Sequence, residues 1–140
     1  MSSTKIEYYE IAQIQIDTAI ELYFLKNYIC AITLAGAAEE LLGKLLIHQS
    51  GGQSALKNLT LKLQCQFPNL TSKEINDNYL NFIRNRLKHF NEDICEQDIN
   101  IKTDSIQLIC RAAANYCKLT KAITPRIQEF NSHLSETLTD

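Results

Sequence analysis

The chain has 140 residues, 45% of them hydrophobic and 21% charged, and its 14 cations against 16 carboxylates leave a net charge of -2. That length supports one domain with its own core, the apolar content excludes a disordered chain, and the charge excludes a surface that is basic all over but not a local basic site. Only 4 glycines and 2 prolines are present, too few for a turn-rich β fold, so helices are expected.

Residues 1–10 hold no apolar stretch of the kind a signal peptide needs. The longest weakly polar run, 28–38, stops at Glu39-Glu40, short of the ~18–20 residues that cross a bilayer. The 5 cysteines include no C-x-x-C pair, so reduced thiols in a cytoplasm are the expectation, with no membrane association.

Five helical segments are read in chain order. The first covers 5–26: Thr4 and Glu7 match a capping box, and Ile6, Tyr9, Ile16, Ile20 and Tyr23 recur at helical spacing. The second, 28–48, carries Leu34, Ala38, Leu41 and Leu45, widened by Ile32, Ala35, Leu42 and Leu46. It is expected to be the most buried, with Gly51-Gly52 closing the unit. In the third, 53–66, Leu56, Leu59 and Leu63 lead to Phe67 and a stop at Pro68.

A second capping box, Thr71 with Glu74, opens the fourth helix. Its apolar face runs through Ile75, Tyr79, Phe82, Ile83 and Leu87 to an end near Phe90 or Asn91. An acidic connection follows over 91–102, where Ile99 and Ile101 alternate with polar residues and suggest a short extended piece. The fifth helix starts at Thr103 or Asp104, carries Ile106, Ile109, Ala113, Tyr116 and Ile123, and is bent or ended near Thr124 by Pro125. A further short helix fits 126–134. The domain is taken as 1–130, with 131–140 as a C-terminal tail. Long helices on short loops predict an all-α fold, an up-and-down antiparallel bundle of about five helices.

Phosphate loops, dinucleotide fingerprints, zinc-protease and serine-hydrolase motifs are all missing, and the three histidines lie far apart, so no metal or cofactor is expected. One stretch stands out. Arg84, Arg86, Lys88 and His89 fall within six residues, with no acid between Asp77 and Glu92. Cations at a helix C-terminus are favoured by the macrodipole, which is the purely structural account. Arg84 and His89, five residues apart, project about 140° from each other on a regular helix, whereas Asn85 and His89 share a face. A site built from Arg84 and His89 would therefore be assembled across a two-fold axis from two copies.

The string Arg84-Asn85-Arg86-Leu87-Lys88-His89 resembles the R-x4-6-H motif of HEPN domains, including the polar residue that often follows the Arg. Those domains are small helical bundles with the motif late in a long helix, and the resemblance covers roughly residues 5–125. It implies a metal-independent endoribonuclease whose cleft is shared by a homodimer. It also implies membership of toxin or defence systems, with an antitoxin or nucleotidyltransferase as partner. Some HEPN domains are instead non-catalytic modules that bind a nucleotide or a partner protein, which is the alternative reading. RNA carries its own nucleophile, the 2′-hydroxyl, and histidine as a residue type can take that proton near neutral pH. On this reading His89 is the general acid or base and Arg84 clamps the phosphate. Asn85 orients either the His or the phosphate, and Arg86 and Lys88 contact the RNA backbone.

Glu39 and Glu40 interrupt the most apolar helix. Glu39 lies on the stripe of Ala35, Leu42 and Leu46, so it is expected to be buried against a cation such as Arg84 or His89. Glu40 has Gly36 and Gly43 on its face and Lys44 one turn on, and either a surface pair with Lys44 or a supporting role at the basic site fits. His48 and His133 are expected to face solvent. Tyr79 and Phe90 flank the motif; core packing is the expected role, base stacking the alternative.

Overall fold

The computed structural model describes residues 2–50, 54–89 and 100–139. Among these the regular structure is entirely helical: seven α-helices and one π-helical turn form a bundle. No helix among the described residues is long and apolar enough to cross a membrane.

Helix α1 (Tyr8–Phe24) begins later than expected. The Thr4–Glu7 box does not form, because Glu7 itself is the cap residue and no side chain caps the helix. Ala12, Ile16, Ala19, Ile20 and Tyr23 make its buried face. Lys26, at a left-handed φ of 64°, turns the chain into α2 (Tyr28–Ser50). The most deeply buried stripe of α2 is Ala31, Ile32, Ala35, Ala38, Leu42 and Leu46; Leu34, Leu41 and Leu45 pack at its edge. The stripe is rich in alanine, so α1 and α6 can approach α2 closely. Each fully buried Ile, Leu or Phe adds about 1.5–3 kcal/mol of apolar burial.

Helix α3 (Ala55–Gln66) is capped by the Ser54 hydroxyl, which accepts from the Lys57 amide at 3.1 Å. The Thr71 cap forms as the sequence suggests, accepting from the Glu74 amide at 3.2 Å. The helix it starts is not continuous. It runs as α4 (Ser72–Ile75), a π-helical turn (Asn76–Leu80) and α5 (Phe82–Lys88). The wide turn closes with the Asn81 amide donating to the Asn76 carbonyl at 2.7 Å, and Asn81 leaves helical geometry at φ -112° and ψ 12°. Two contacts hold this break. The Thr60 side chain of α3 hydrogen-bonds that of Asn76, and an arginine of α6, Arg111, takes the Leu80 carbonyl and the Asn81 side chain.

Helix α6 (Ile101–Thr120) starts at Ile101, under an Asn100 cap that accepts from the Thr103 amide at 3.2 Å. Ile101 is therefore helical, not extended. Phe90, Asn91, Ile99 and most of the acidic connection lie outside the described residues, as do Gly51 and Gly52. Lys121, at φ 61°, ends α6 before Thr124. Pro125 does not end that helix; it opens α7 (Pro125–Thr139), at a position where its missing amide costs nothing. The helix expected over 126–134 thus runs on to Thr139, into the segment taken as a tail. Thr124 caps α7 by accepting from the Ile127 amide at 3.1 Å, and its hydroxyl donates to Asp17 at 2.7 Å, tying α7 to α1. Ile127 and Phe130 enter the core. His133, expected in solvent, is half-buried: its Nε2 lies 3.2 Å from the Tyr23 hydroxyl and its ring packs on Phe24.

Candidate functional site

The two halves of the basic motif have different environments. Arg84, in α5, lies along α2 with only 15% of its side chain exposed. Its Nη1 donates to Glu39 Oε2 at 3.1 Å and its Nη2 to Glu40 Oε2 at 3.0 Å. Gly36 makes this passage possible. A Cβ at that position would lie 2.8 Å from Arg84 Cδ and 3.2 Å from its Cγ.

Glu39 is 2% exposed, as its place on the α2 stripe suggested, and it holds two cations. Its second oxygen accepts from Arg111 Nη2 at 3.1 Å. Arg111 is itself 3% exposed and also donates to the Leu80 carbonyl at 3.0 Å and to Asn81 Oδ1 at 2.9 Å. Its Nε has no partner among the described residues. Burial pulls the Arg111 guanidinium below the usual arginine range, and the neighbouring Arg84 charge adds to this; Glu39 opposes both. One helix turn on, Asn115 donates to the Glu39 carbonyl at 3.1 Å and accepts from the Ala55 amide at 2.7 Å, joining α2, α6 and the start of α3.

Glu40 is 39% exposed and shares its carboxylate between Arg84 and Lys44, the latter at 3.2 Å, so the expected Lys44 pair forms together with a bond to Arg84. Partial burial pushes its carboxyl up. The Lys44 hydrogen bond and the charges of Arg84, Lys44 and Lys88 outweigh that and hold it below the usual carboxylate range. Glu40, Arg84 and Lys88 line a cleft of about 200 Å³ between α2 and α5, with Thr33, Gly36 and Ala37 on its floor and wall. A larger groove of about 360 Å³, among Tyr8, Tyr9, Leu45 and Gln49, has no cation in its lining.

His89 lies just beyond α5, exposed, in extended backbone at φ -122° and ψ 127°. The angle of a regular helix therefore no longer relates it to Arg84. Its amide donates to the Asn85 carbonyl at 2.9 Å, and its ring makes no hydrogen bond or ion pair with the described residues. Asn85 is half-buried and Lys88 exposed, while the Arg86 guanidinium sits 5.1 Å from the centre of the Phe82 ring. The structure thus joins Arg84 to Glu39 and Glu40 and leaves His89 apart from them. No group of three or more potential metal ligands is gathered among the described residues.

Sequence reasoning missed Arg111, Asn81 and Asn115. The signal was present in α6, where Arg111 and Asn115 fall at helical spacing with Leu108 and Ala112 on the buried face. A cation on that stripe needs a buried anion opposite, and Glu39 was the available one.

No protein-family model, no curated protein and no solved structure matches the chain.

Proposed function

We propose that the chain is a HEPN-type, metal-independent endoribonuclease that works as a homodimer in a toxin or defence setting. The observation that carries this reading is the fixed position of Arg84 at the wall of an open cleft, with Lys88 and the exposed His89 in the next turn. The two carboxylates on Arg84 are not equivalent. The bond to Glu39 is buried and anchors the guanidinium; the bond to Glu40 is at the surface, where a phosphate can take its place. His89, outside the helix and without a side-chain partner among the described residues, would act on a 2′-hydroxyl held by the partner copy's cleft.

The test is cleavage of labelled RNA in EDTA. Products ending in a 2′,3′-cyclic phosphate are expected. His89→Ala should lose about 10²–10⁴-fold in rate, as for loss of a general acid or base, with an unchanged melting temperature because the ring is exposed. Cleavage that needs Mg²⁺, or that survives His89→Ala at full rate, refutes the mechanism. A strict monomer in sedimentation at tens of micromolar refutes the shared cleft.

One observation favours the alternative, a non-catalytic helical homodimer that binds a nucleotide or partner protein: both terminal nitrogens of Arg84 are already neutralised by carboxylates. A stable dimer that cuts no RNA would select it.

A further inference from the structure

The π-helical turn changes which aromatic residue is buried. In a continuous helix Ile75, Tyr79 and Ile83 would share one face, four residues apart. Ile75 and Ile83 are buried, at 1% and 6%, yet Tyr79 between them is 63% exposed, and Leu80 takes the inward position at 8%. The extra residue in the turn has moved the register by one and placed a tyrosine in water. Tyr79 is not alone there. Phe67, 53% exposed, shares with it the rim of an apolar groove of about 350 Å³ that also contains Gln107. On α5, Phe82 is 38% exposed and carries the Arg86 guanidinium on its ring. The stretch 54–89 that holds these rings has six lysines and arginines against two carboxylates, one of the six, Arg84, being already paired with Glu39 and Glu40.

Exposed rings interleaved with cations on one helical path suit one ligand better than others. A protein partner would bury the rings but leave the cations needing acids. A duplex offers phosphates but keeps its base faces stacked inside. A single strand offers both phosphates and open base faces. We propose that Tyr79, Phe82 and Arg86 form a stacking platform for the unpaired bases of single-stranded RNA and lead the strand along α5 to His89. Tyr79 stands in the π-helical turn before α5 and His89 just past its end, so the two flank that helix. This inference rests on the RNA reading above and adds the form of RNA that the site takes.

The experiment measures binding without cleavage. A fluorescent 2′-O-methyl oligouridine of about 12 nucleotides has no free 2′-hydroxyl and spans a typical single-strand site. The full chain is titrated against it and against a 2′-O-methyl duplex of equal length. The single strand should bind at least ~10-fold more tightly, and Tyr79→Ala and Phe82→Ala should each weaken it by roughly 5- to 100-fold, the range for loss of one stacked base. Tyr79→Phe, which keeps the ring, should restore binding. Arg86→Gln should lower the salt dependence by about one phosphate contact. Equal binding of duplex and single strand overturns the platform, as does wild-type affinity in both alanine variants. A melting temperature lowered by many degrees in Tyr79→Ala overturns it too, by showing that Tyr79 is a packing residue. Cleavage of ordinary RNA is read in parallel. If it persists in Tyr79→Ala and Phe82→Ala with unchanged kcat and KM, the platform fails while the ribonuclease reading stands. A wild type that binds no oligonucleotide removes both.

Discussion

Replacing Glu39 by alanine tests the centre of the site. The wild-type carboxylate, 2% exposed, sits between Arg84 at 3.1 Å and Arg111 at 3.1 Å. Among the described residues, removing it leaves Arg111, itself 3% exposed, without an anionic partner, and leaves Arg84 with Glu40. Taking away one member of a buried pair typically costs about 3–5 kcal/mol, mostly because the remaining charge stays desolvated. Arg111 is stranded and Arg84 loses one of its two carboxylates, so a cost within that range is expected. Against a total stability of about 5–15 kcal/mol this is a large fraction. With a urea m-value of about 1–3 kcal/mol/M, the midpoint should fall by roughly 1–5 M. At about 3 °C per kcal/mol for a chain of this size, the melting temperature should fall by roughly 10–15 °C. Glu40→Ala is the control: its carboxylate is 39% exposed, and its loss should cost under about 1 kcal/mol. Replacing Glu39 and Arg111 together by methionine should recover most of the loss, since a buried pair is often no better than an apolar pair of equal volume. A Glu39→Ala midpoint within about 1 kcal/mol of wild type would refute the reasoning.

The remaining predictions concern the neighbours of that carboxylate. Glu40 titrates below its ordinary value of 4.5, so its contribution to stability is complete above that pH and is lost as acid takes the folded group through its lower value. The stability difference between wild type and Glu40→Gln should therefore be flat above about pH 4.5 and shrink below it, by a small amount because solvent screens the group. A difference that grows on acidification would contradict the depressed carboxyl. Gly36→Ala should destabilise by about 1–3 kcal/mol through its clash with the pinned Arg84 stem, although a helical Gly→Ala exchange elsewhere gains up to about 1 kcal/mol. In an Arg84→Ala background the same exchange should become neutral or stabilising, and urea melts of the four proteins read the coupling.

The all-helical class and the second helix were legible because alanine- and leucine-rich stripes at helical spacing have one favourable solution, burial against similar stripes. Glu39 was legible for the same reason: a carboxylate on that stripe cannot stay there without a cation. The sequence pointed less well where a tertiary contact overrides local preference. Residues 71–90 read as one helix because Ile75, Tyr79 and Ile83 keep its period. Arg111, thirty-one residues beyond Leu80, takes a main-chain carbonyl from that helix and holds the π turn open. Nothing local to 71–90 encodes that hydrogen bond. Pro125 was misassigned for a different reason. Proline stops one helix and starts the next with equal ease, and the left-handed Lys121 had already ended α6.

The same contacts explain why chemistry at this place would depend on residues that never touch a substrate. Glu39 belongs to α2, Arg111 to α6, and Asn81 with Arg84 to the interrupted helix that carries the motif. Each of the three elements supplies a charge or a carbonyl that the other two need, so α5 cannot shift along α2 without stranding a buried cation. The position of Arg84 is thereby fixed from the core outward. His89 lies one residue past the last turn of α5 and, among the described residues, is held through the backbone of that helix. On the proposed reading the network would separate two tasks: the interior places the arginine, and the helix end presents the imidazole to the ligand. On that reading a substitution at Arg111 would act through the angle of α5, without any change in the proposed ligand-contacting groups.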